Sequence, residues 1–175
     1  MKKAILITSF AALSFSASAQ KLEKPKIDKI KGDTTWSTSE ERLYTHIGFG
    51  SSDILYQKIE KIAGVYTLVF KIDRNNGTNF YGVRAEDITN IKFSDSSVLN
   101  LQPTVSGPSD VNLHSNGHRS IGLVFYALNQ EQLVKLSTKA ISFIRISSDK
   151  GDFDYEIKGK NSELIKNSIE LITKK

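Results

Sequence analysis

The chain of 175 residues contains no cysteine and only three histidines. Without cysteine it can form no disulfide, even in an oxidising compartment, and it offers no thiol nucleophile. The histidines lack the spacing of a recognised metal site or catalytic triad. Stability must therefore come from burial and hydrogen bonding, for which nine Phe, six Tyr and one Trp supply large apolar groups.

The first 19 residues have the pattern of a secretory signal peptide. Lys2 and Lys3 form a charged start, residues 4–15 form an apolar stretch, and residues 17–19 form a small-residue cleavage site before Gln20. The apolar stretch is too short to span a bilayer, and no cysteine follows the site to carry a lipoprotein anchor. We expect export to the periplasm or out of the cell, with no transmembrane segment in the mature chain.

Positive charge is concentrated just after the predicted cleavage site. The formal charge of the chain is +5, and loss of Lys2 and Lys3 leaves +3. Residues 20–32 hold five lysines against Glu23 and Asp28, which is also +3, so the remainder is near neutral. The pattern predicts a basic tether that is flexible or lies along the domain surface, and it argues against a nucleic-acid-binding face. The tether could contact acidic polymers or lipid headgroups electrostatically.

Residues 33–175 contain many short segments with the alternation and β-branched content of strands. They predict a single, mainly antiparallel β domain, either a sandwich or a partly open barrel. The predicted strands before residue 103 cover residues 34–38, 42–49, 54–62, 65–73, 79–83, 90–93 and 98–102. Residues 54–62 would also make a helical stripe, but a strand is favoured because a strongly β segment follows at hairpin distance.

The Gly- and Ser-rich loop at residues 48–53 fits neither of two familiar motifs. It lacks the G-x-S-x-G order of a nucleophile elbow. It also lacks the third glycine and the following helix of a dinucleotide fingerprint. We therefore predict neither a cofactor nor a catalytic residue in this loop.

Residues 120–157 carry the clearest local signals, in the order strand, helix, strand, turn, strand. Asn129 and Gln132 have the spacing of a capping box at a helix start. A two-residue loop at Lys150 and Gly151 would place Ile146 opposite Tyr155 in the hairpin that follows, whereas a longer turn would shift the register by one. In either case Gly151 should adopt a positive φ.

Residues 161–173 have the apolar period of an amphipathic helix. Its predicted apolar face consists of Leu164, Ile165, Ile169, Leu171 and Ile172. The helix should cover a sheet face or close one end of the sheet, with Leu164 and Leu171 buried. Binding to a membrane surface is the alternative, but the polar face has mixed charge and no aromatic anchors.

The longest stretch without periodicity, residues 103–119, is predicted to be a surface loop that contacts a partner. Its candidate binding residues are Asp110, His114, Asn116, His118 and Arg119. The two histidines and the aspartate could bind a transition metal. However, H-x-x-x-H brings two ligands together only on a helix, and the Asn116-Gly117 pair argues against one. We predict no metal site here.

Two groups of residues resemble small exported β-proteins of Bacteroidetes-type bacteria. They are Gly32-Asp33-Thr34 with Trp36-Ser37-Thr38 near the start, and residues 130–136 with 141–157 near the end. The resemblance lies in a general layout without a chemical motif. It implies the β fold and export, and it implies no activity.

Together these features predict an exported cell-envelope domain that binds a partner or ligand without catalysis. Its ligand, its partner and its oligomeric state are left open by the sequence. The alternative is a hydrolase that acts on cell-envelope material. Such an enzyme should show a concave pocket with convergent titratable groups, whereas a binding module need not.

Overall fold

A computed structural model of the chain describes residues 20–75, 81–104, 107–108, 110–114 and 117–175, with the backbone alone described within residues 107–118. The predicted fold class is confirmed. The described part of the chain is mainly β, with 51% strand and 18% helix. It contains two main antiparallel sheets, a two-stranded sheet and two α-helices. The hydrophobic core lies between these sheets and under the helices.

The strands follow one another along the chain with short connections, as the turn signals predict. They are β1 (Lys26–Ile27), β2 (Thr34–Ser37), β3 (Glu41–Gly48), β4 (Ser51–Ile62), β5 (Val65–Asn75), β6 (Gly82–Val83), β7 (Thr89–Phe93), β8 (Val98–Leu101), β9 (Gly107–Pro108), β10 (Asp110–His114), β11 (Gly117–Leu128), β12 (Ile141–Ile146) and β13 (Phe153–Glu156). The helices are α1 (Gln130–Thr138), the 3₁₀ helix Gly159–Glu163 and α2 (Leu164–Thr173).

The large sheet has the strand order β1-β2-β4-β5-β11-β10, and β3 also pairs with β4. At 12 residues, β4 is long enough to take two short partners along one edge. Residues 60–62 pair with β2, and residues 51–57 pair with β3. Both β2 and β3 therefore lie on the side of β4 that faces away from β5.

Residues 54–62 form part of β4, so the strand prediction is confirmed and the helical alternative is wrong. The turn after β4 explains why a strand forms. Ala63 and Gly64 both have positive φ, 48° and 84°, which is the conformation of a type I′ hairpin turn. The turn pairs Ile62 with Val65, and the register then continues along both strands. Alternate residues Leu55, Gln57 and Ile59 of β4 consequently point into the core.

A four-stranded sheet of order β13-β12-β7-β8 packs against one end of the large sheet. Its inward residues include Ile144, Ile146 and Tyr155, each fully buried. They meet inward residues of the large sheet such as Phe70 and Ile72. Burial of each such side chain stabilises the fold by about 1.5–3 kcal/mol.

The two helices fill the other end of the core. The capping box of α1 is confirmed, since Asn129 and Gln132 exchange side-chain to backbone hydrogen bonds of 2.9 Å. The C-terminal helix is also confirmed, and it contacts β4. Its buried face is formed by Ile165, Ser168, Ile169 and Ile172. The expectation that Leu164 and Leu171 are buried is wrong, because both are half-buried at the rim of that face.

The β12–β13 hairpin keeps the predicted alternation but not the predicted register. Ile146 pairs with Phe153 instead of Tyr155, and Ile144 pairs with Tyr155. Ser148 and Gly151 exchange backbone hydrogen bonds of 3.1 Å, so the turn spans Ser148 to Gly151, as in the longer alternative, but the register shifts by two residues instead of one. The resulting shift of two residues preserves the faces. Gly151 has the expected positive φ of 99°.

Two segments predicted to lack regular structure contain strands. Residues 20–32 lie along the domain surface, the second of the two alternatives, because β1 pairs with β2 and Leu22 bridges to Thr38. Residues 103–119 were expected to be one loop, and that expectation is wrong. They contain β9, β10 and the first residues of β11, and β10 pairs with β11 in a hairpin.

Candidate binding groove at the edge of strand β3

An open groove runs beside the outer edge of β3. It has two adjoining sections of about 650 and 580 Å³, and both are lined by Thr45 and Asn161. One wall is β3 with the residues before it. The other wall is formed by β13 at one end and by the C-terminal segment, Lys158 to Asn167, along the rest.

Strand β3 presents an unpaired edge to this groove, since its sole strand partner in the described part of the chain is β4. The first half of that edge is obstructed for pairing with another strand. A bulge interrupts the register between Arg42 and Tyr44, and the Asn161 amide donates a 3.0 Å hydrogen bond to the carbonyl oxygen of Leu43. The second half, from Thr45 to Ile47, is exposed and can accept an added strand.

The charges along the groove divide it into a neutralised end and a positive end. At the β13 end, Glu156 pairs with Lys158 at 2.9 Å and Asp154 pairs with Arg145 at 2.6 Å. At the other end, Glu40 pairs with Lys71 at 2.7 Å. Two other cations that line the groove have no such partner among the described residues.

Arg42 and Lys160 line the larger section of the groove. Within the described residues, neither has a carboxylate in salt-bridge distance. The Arg42 guanidinium instead lies 5.7 Å from the centre of the Tyr56 ring, a weak exposed cation–π contact. Glu41 lines the same section, where its carboxylate accepts from the Ser39 hydroxyl at 2.8 Å. This end of the groove thus presents two cations against one further carboxylate, an excess of positive charge that favours an acidic ligand.

A buried polar cluster lies beneath the groove. The ring of Tyr44 meets the ring of Tyr155 edge-on at 5.2 Å, and the Tyr155 hydroxyl lies 3.4 Å from Asp53 Oδ1. Arg74 Nε lies 3.1 Å from Asp53 Oδ2. That N–H makes no hydrogen bond in the described residues, so the contact is Coulombic. The Arg74 guanidinium also stacks 4.4 Å from the centre of the Phe153 ring.

Burial governs the protonation of this cluster. It raises the pKa of Tyr155 well above its usual value, so the hydroxyl stays protonated. Burial also raises the pKa of Asp53, an effect that the neighbouring Arg74 opposes. His46, which pairs with Asp53 across the strands, lowers that pKa slightly. The Asp53 carboxylate of the large sheet contacts both the Arg74 guanidinium and the Tyr155 phenol of β13, so the cluster links the two sheets beneath the groove.

Of the five predicted binding residues, Arg119 is the one whose side chain is described. Its guanidinium makes a bidentate pair with the carboxylate of Asp73, which is 1% exposed. Asp73 therefore fixes Arg119 on the outer face of the large sheet. Nothing in the sequence signals this pair, because the two residues lie 46 positions apart.

The other four predicted binding residues belong to the β10–β11 hairpin or its turn. Asp110 pairs with Ile121, and His114 pairs with Gly117. His118 lies in β11, and Asn116 falls outside the described residues. Because β10 ends the large sheet on the side away from β3, this hairpin is separate from the groove. Its role in binding stays a prediction.

Within the ranges that the structure describes, no group of three or more His, Cys, Asp or Glu residues could hold a metal ion. Among the same residues, no helix has the length and apolarity needed to cross a membrane.

No family model, curated protein or solved structure matches this chain significantly. The groove along β3, with its open strand edge and two unpaired cations, is therefore the basis for assigning a function.

Proposed function

We propose that this protein is an exported, non-catalytic binding domain of the cell envelope that takes up an extended peptide along β3. The observation that carries the proposal is the exposed segment from Thr45 to Ile47 at the open edge of β3, which begins at Thr45 in the lining of the groove. An extended peptide would hydrogen-bond to this edge as an added strand, and the groove would receive its side chains. The exposed edge spans roughly three residues, or about 10 Å of strand.

The charges that line the groove indicate which side chains the bound peptide should carry. Arg42 and Lys160 lack carboxylate partners in the described residues, whereas Lys158 and Lys71 are paired. A peptide with acidic side chains toward the α2 end would supply the missing charges. The β13 end is already neutralised and would accept uncharged side chains.

Catalysis is the alternative, and one observation favours it. The raised pKa of Asp53 beside His46 is the kind of perturbation found at active sites. Asp53 is also paired with Arg74 and faces the Tyr155 hydroxyl. A residue with a purely structural role would make the same contacts. Release of fragments from purified cell-wall material by the protein, with loss of that activity in a folded Asp53→Asn variant, would establish the hydrolase in place of the binding domain.

Export forms part of the proposal. Gln20, the first residue after the predicted cleavage site, donates its side-chain amide to the carbonyl oxygen of Leu164 at 2.9 Å and to the hydroxyl of Ser168 at 2.7 Å. These contacts support a folded domain that reaches back to Gln20. Intact mass of the protein recovered from an expressing bacterium tests the cleavage, and a mass that retains residues 1–19 would contradict it.

Peptide binding can be tested by NMR titration with a peptide of alternating Glu and Val. The amide signals of Thr45, His46 and Ile47 should shift, and Arg42→Glu and Lys160→Glu should each weaken binding. Lys150→Glu is the matched control, because this exposed lysine lies in the β12–β13 turn, away from the groove.

The same titration can separate strand addition from a charge contact alone. A peptide with the same side chains but N-methylated at alternate residues lacks half of its backbone donors, and it should bind more weakly. Equal binding of both peptides, or shifts confined to residues outside the groove, would contradict the proposal.

A further inference from the structure

Two hairpin turns project side by side from one end of the large sheet. Lys26, Thr35, Ile62 and Val65 pair in one row across β1, β2, β4 and β5. With strands about 4.8 Å apart, this row spans about 14 Å. The β1–β2 turn, residues 28–33, and the β4–β5 turn, residues 63–64, both lie beyond the row on the same side. We name this end of the sheet the basic tip.

Aliphatic side chains are unusually exposed on the basic tip. Ile30 is 95% exposed, Ile27 67%, Val65 55% and Ile62 40%. A single exposed aliphatic residue needs no explanation, but several on two adjacent turns mark an interaction surface.

Lysines surround these aliphatic residues. The tip carries Lys24, Lys26, Lys29, Lys31 and Lys61. None of them has a carboxylate in salt-bridge distance within the described residues. Residues 24–33 contain two acidic groups, Asp28 and Asp33, against four of these lysines. The tip therefore keeps a net positive charge.

The β1–β2 turn is held in shape by Asp28. Its carboxylate accepts the backbone N–H groups of Ile30 at 2.7 Å and Lys31 at 2.9 Å. These amides lower the pKa of Asp28, with that of Lys31 having the larger effect. The Gly32 N–H closes the turn on the Asp28 carbonyl oxygen at 2.8 Å, with a φ of 77° at Gly32. Ile30 is thus presented to solvent by a closed turn.

We propose that the basic tip docks this protein on a bilayer that contains anionic phospholipid. The aliphatic side chains of Ile30 and its neighbours enter the headgroup region, and the lysines face the phosphates. Lysine suits this role because its alkyl stem can lie along apolar surface while its ammonium stays in the polar layer. Clusters of basic residues are attracted to anionic lipid over a Debye length.

The composition of the tip favours lipid over a protein partner. The cores of protein interfaces are enriched in aromatic residues and arginine and depleted in lysine. Residues 20–33 contain five lysines and no arginine or aromatic residue. The aromatic residues that pair with Lys61, Trp36 and Tyr66, pack against the hydrophobic core. The groove opens beside β3, and Gly48 of β3 pairs with Ser51 at the start of β4, at the opposite end of β4 from the tip. Docking through the tip would therefore leave that part of β3 free, and the inference does not depend on what the groove binds.

Vesicle co-sedimentation with the folded protein tests this docking. The probes are vesicles of phosphatidylcholine alone and of phosphatidylcholine mixed with phosphatidylglycerol. The protein should sediment with the mixed vesicles and be released by added salt. Ile30→Ser should weaken binding several-fold, and Lys29→Glu with Lys31→Glu should weaken it about tenfold or more, since each lysine near an anionic surface contributes.

Two control variants match these changes at other places on the surface. Phe49→Ser removes a fully exposed apolar side chain at the β3–β4 turn, and Lys150→Glu reverses a charge in the β12–β13 turn. Both should leave vesicle binding unchanged, and urea unfolding checks that every variant is folded. No binding of the parent protein to mixed vesicles at low salt would overturn the proposal. Equal losses in the tip and control variants would do the same.

Discussion

The two ends of the core beneath the large sheet bury polar groups of different kinds. Under α2, the buried groups are neutral, namely the amides of Gln20 and Gln57 and the hydroxyl of Ser168. Toward β13, they include the charged pair of Asp53 with Arg74, and at the same end the buried carboxylate of Asp73 pairs with Arg119 on the outer face of the large sheet.

At the helical end, Ser168 binds two glutamines, Gln20 and Gln57, that lie far from it and from each other in the sequence. Its hydroxyl oxygen accepts from the Gln57 amide at 2.9 Å and from the Gln20 amide at 2.7 Å. Gln57 and Ser168 are both 0% exposed. The carbonyl oxygens of both glutamines have no hydrogen-bond partner within the described residues. Neutral groups tolerate this incomplete pairing, because an unpaired amide costs far less to bury than a charge.

At the sheet end, each buried charge has an opposite charge in contact, and part of each pair reaches water. Asp73 is 1% exposed, but its partner Arg119 is 39% exposed. Asp53 and Arg74 are 22% and 23% exposed. This fold therefore buries a carboxylate where an opposite charge and solvent are both near, on either face of the large sheet, whereas the polar groups buried under α2 are neutral.

The largest effect is expected from Arg119→Met. It would leave the buried Asp73 carboxylate without its partner. Removal of one member of a fully buried pair costs about 3–5 kcal/mol, and we expect the lower end of that range because Arg119 is 39% exposed. Urea unfolding measures the loss. Arg145→Met is the matched control, because it breaks the bidentate pair with Asp154 on the exposed face, where both side chains are 44% exposed. Similar small losses in both variants would show that the Asp73 pair is not a buried one.

The next effect is expected from Gly122→Ala, also at the sheet end. An added Cβ would lie 2.6 Å from the hydroxyl oxygen of Tyr81. That ring cannot easily move, since it is 4% exposed and its hydroxyl donates to the Ile72 carbonyl oxygen at 3.0 Å. Overpacking of this kind costs about 1–3 kcal/mol.

Gly82→Ala is the control for that variant. Its added Cβ would have no neighbour closer than an Asp149 side-chain oxygen at 3.6 Å, an ordinary contact. Thermal unfolding should therefore separate the two variants clearly. Equal melting temperatures would mean that the Tyr81 ring has room to shift.

Ser168→Ala tests the neutral end. It removes the acceptor shared by two amides, and we expect a loss of about 1–2 kcal/mol in the free energy of unfolding. Gln57→Leu combined with Ser168→Ala should recover part of that loss, since fewer buried donors are left unpaired. Ser162→Ala, which removes an exposed hydroxyl bonded to Gly159, is the control. A double variant that is less stable than the sum of its parts would contradict the account.

The smallest effect is a pH dependence of stability, which should come from carboxyl groups near β13 and not from the neutral groups under α2. Burial raises the pKa of Asp53 above 3.8, so its contribution to stability is present below the unfolded pKa and is lost as pH rises through the folded value. The hydrogen bonds from Arg145 lower the pKa of Asp154. Its contribution is therefore present above the unfolded pKa and is lost as pH falls through the folded value.

Carboxyl NMR titration measures both groups in one sample. Asp53 should titrate at higher pH than Asp154, and Arg145→Gln should raise the pKa of Asp154 without moving that of Asp53. Ser168→Ala should leave both titrations unchanged. If Asp154 instead titrated at higher pH than Asp53, water would have to reach Asp53 more freely than its burial indicates.

Local signals predicted much of the chain and failed in identifiable places. The capping box at Asn129, the positive φ of Gly151 and the strand at residues 54–62 were all predicted correctly, because each depends on residues close in sequence. The register of the β12–β13 hairpin was wrong by two residues, since alternation fixes the faces of a strand but not its alignment with a partner. The strands within residues 103–119 are not visible in the sequence, because short, polar strands carry little apolar alternation.

The candidate groove could not have been found from the sequence. Thr45 and Asn161 line it from positions 116 residues apart in a chain numbered from 1 to 175, and no local pattern reveals that β3 has an open edge. Arg119 was selected as a binding residue because it lies in a polar stretch. Its pairing with Asp73 became visible only when β5 and β11 were placed side by side.

The sequence by itself determined which segments alternate, where the chain turns, and where its excess lysines lie, because these properties depend on neighbours along the chain. Only the tertiary structure decided which strand edges stay open, which charges are paired, and which exposed aliphatic residues share one end of the sheet. Those properties depend on strand order and register, through which residues tens of positions apart become neighbours at about 5 Å.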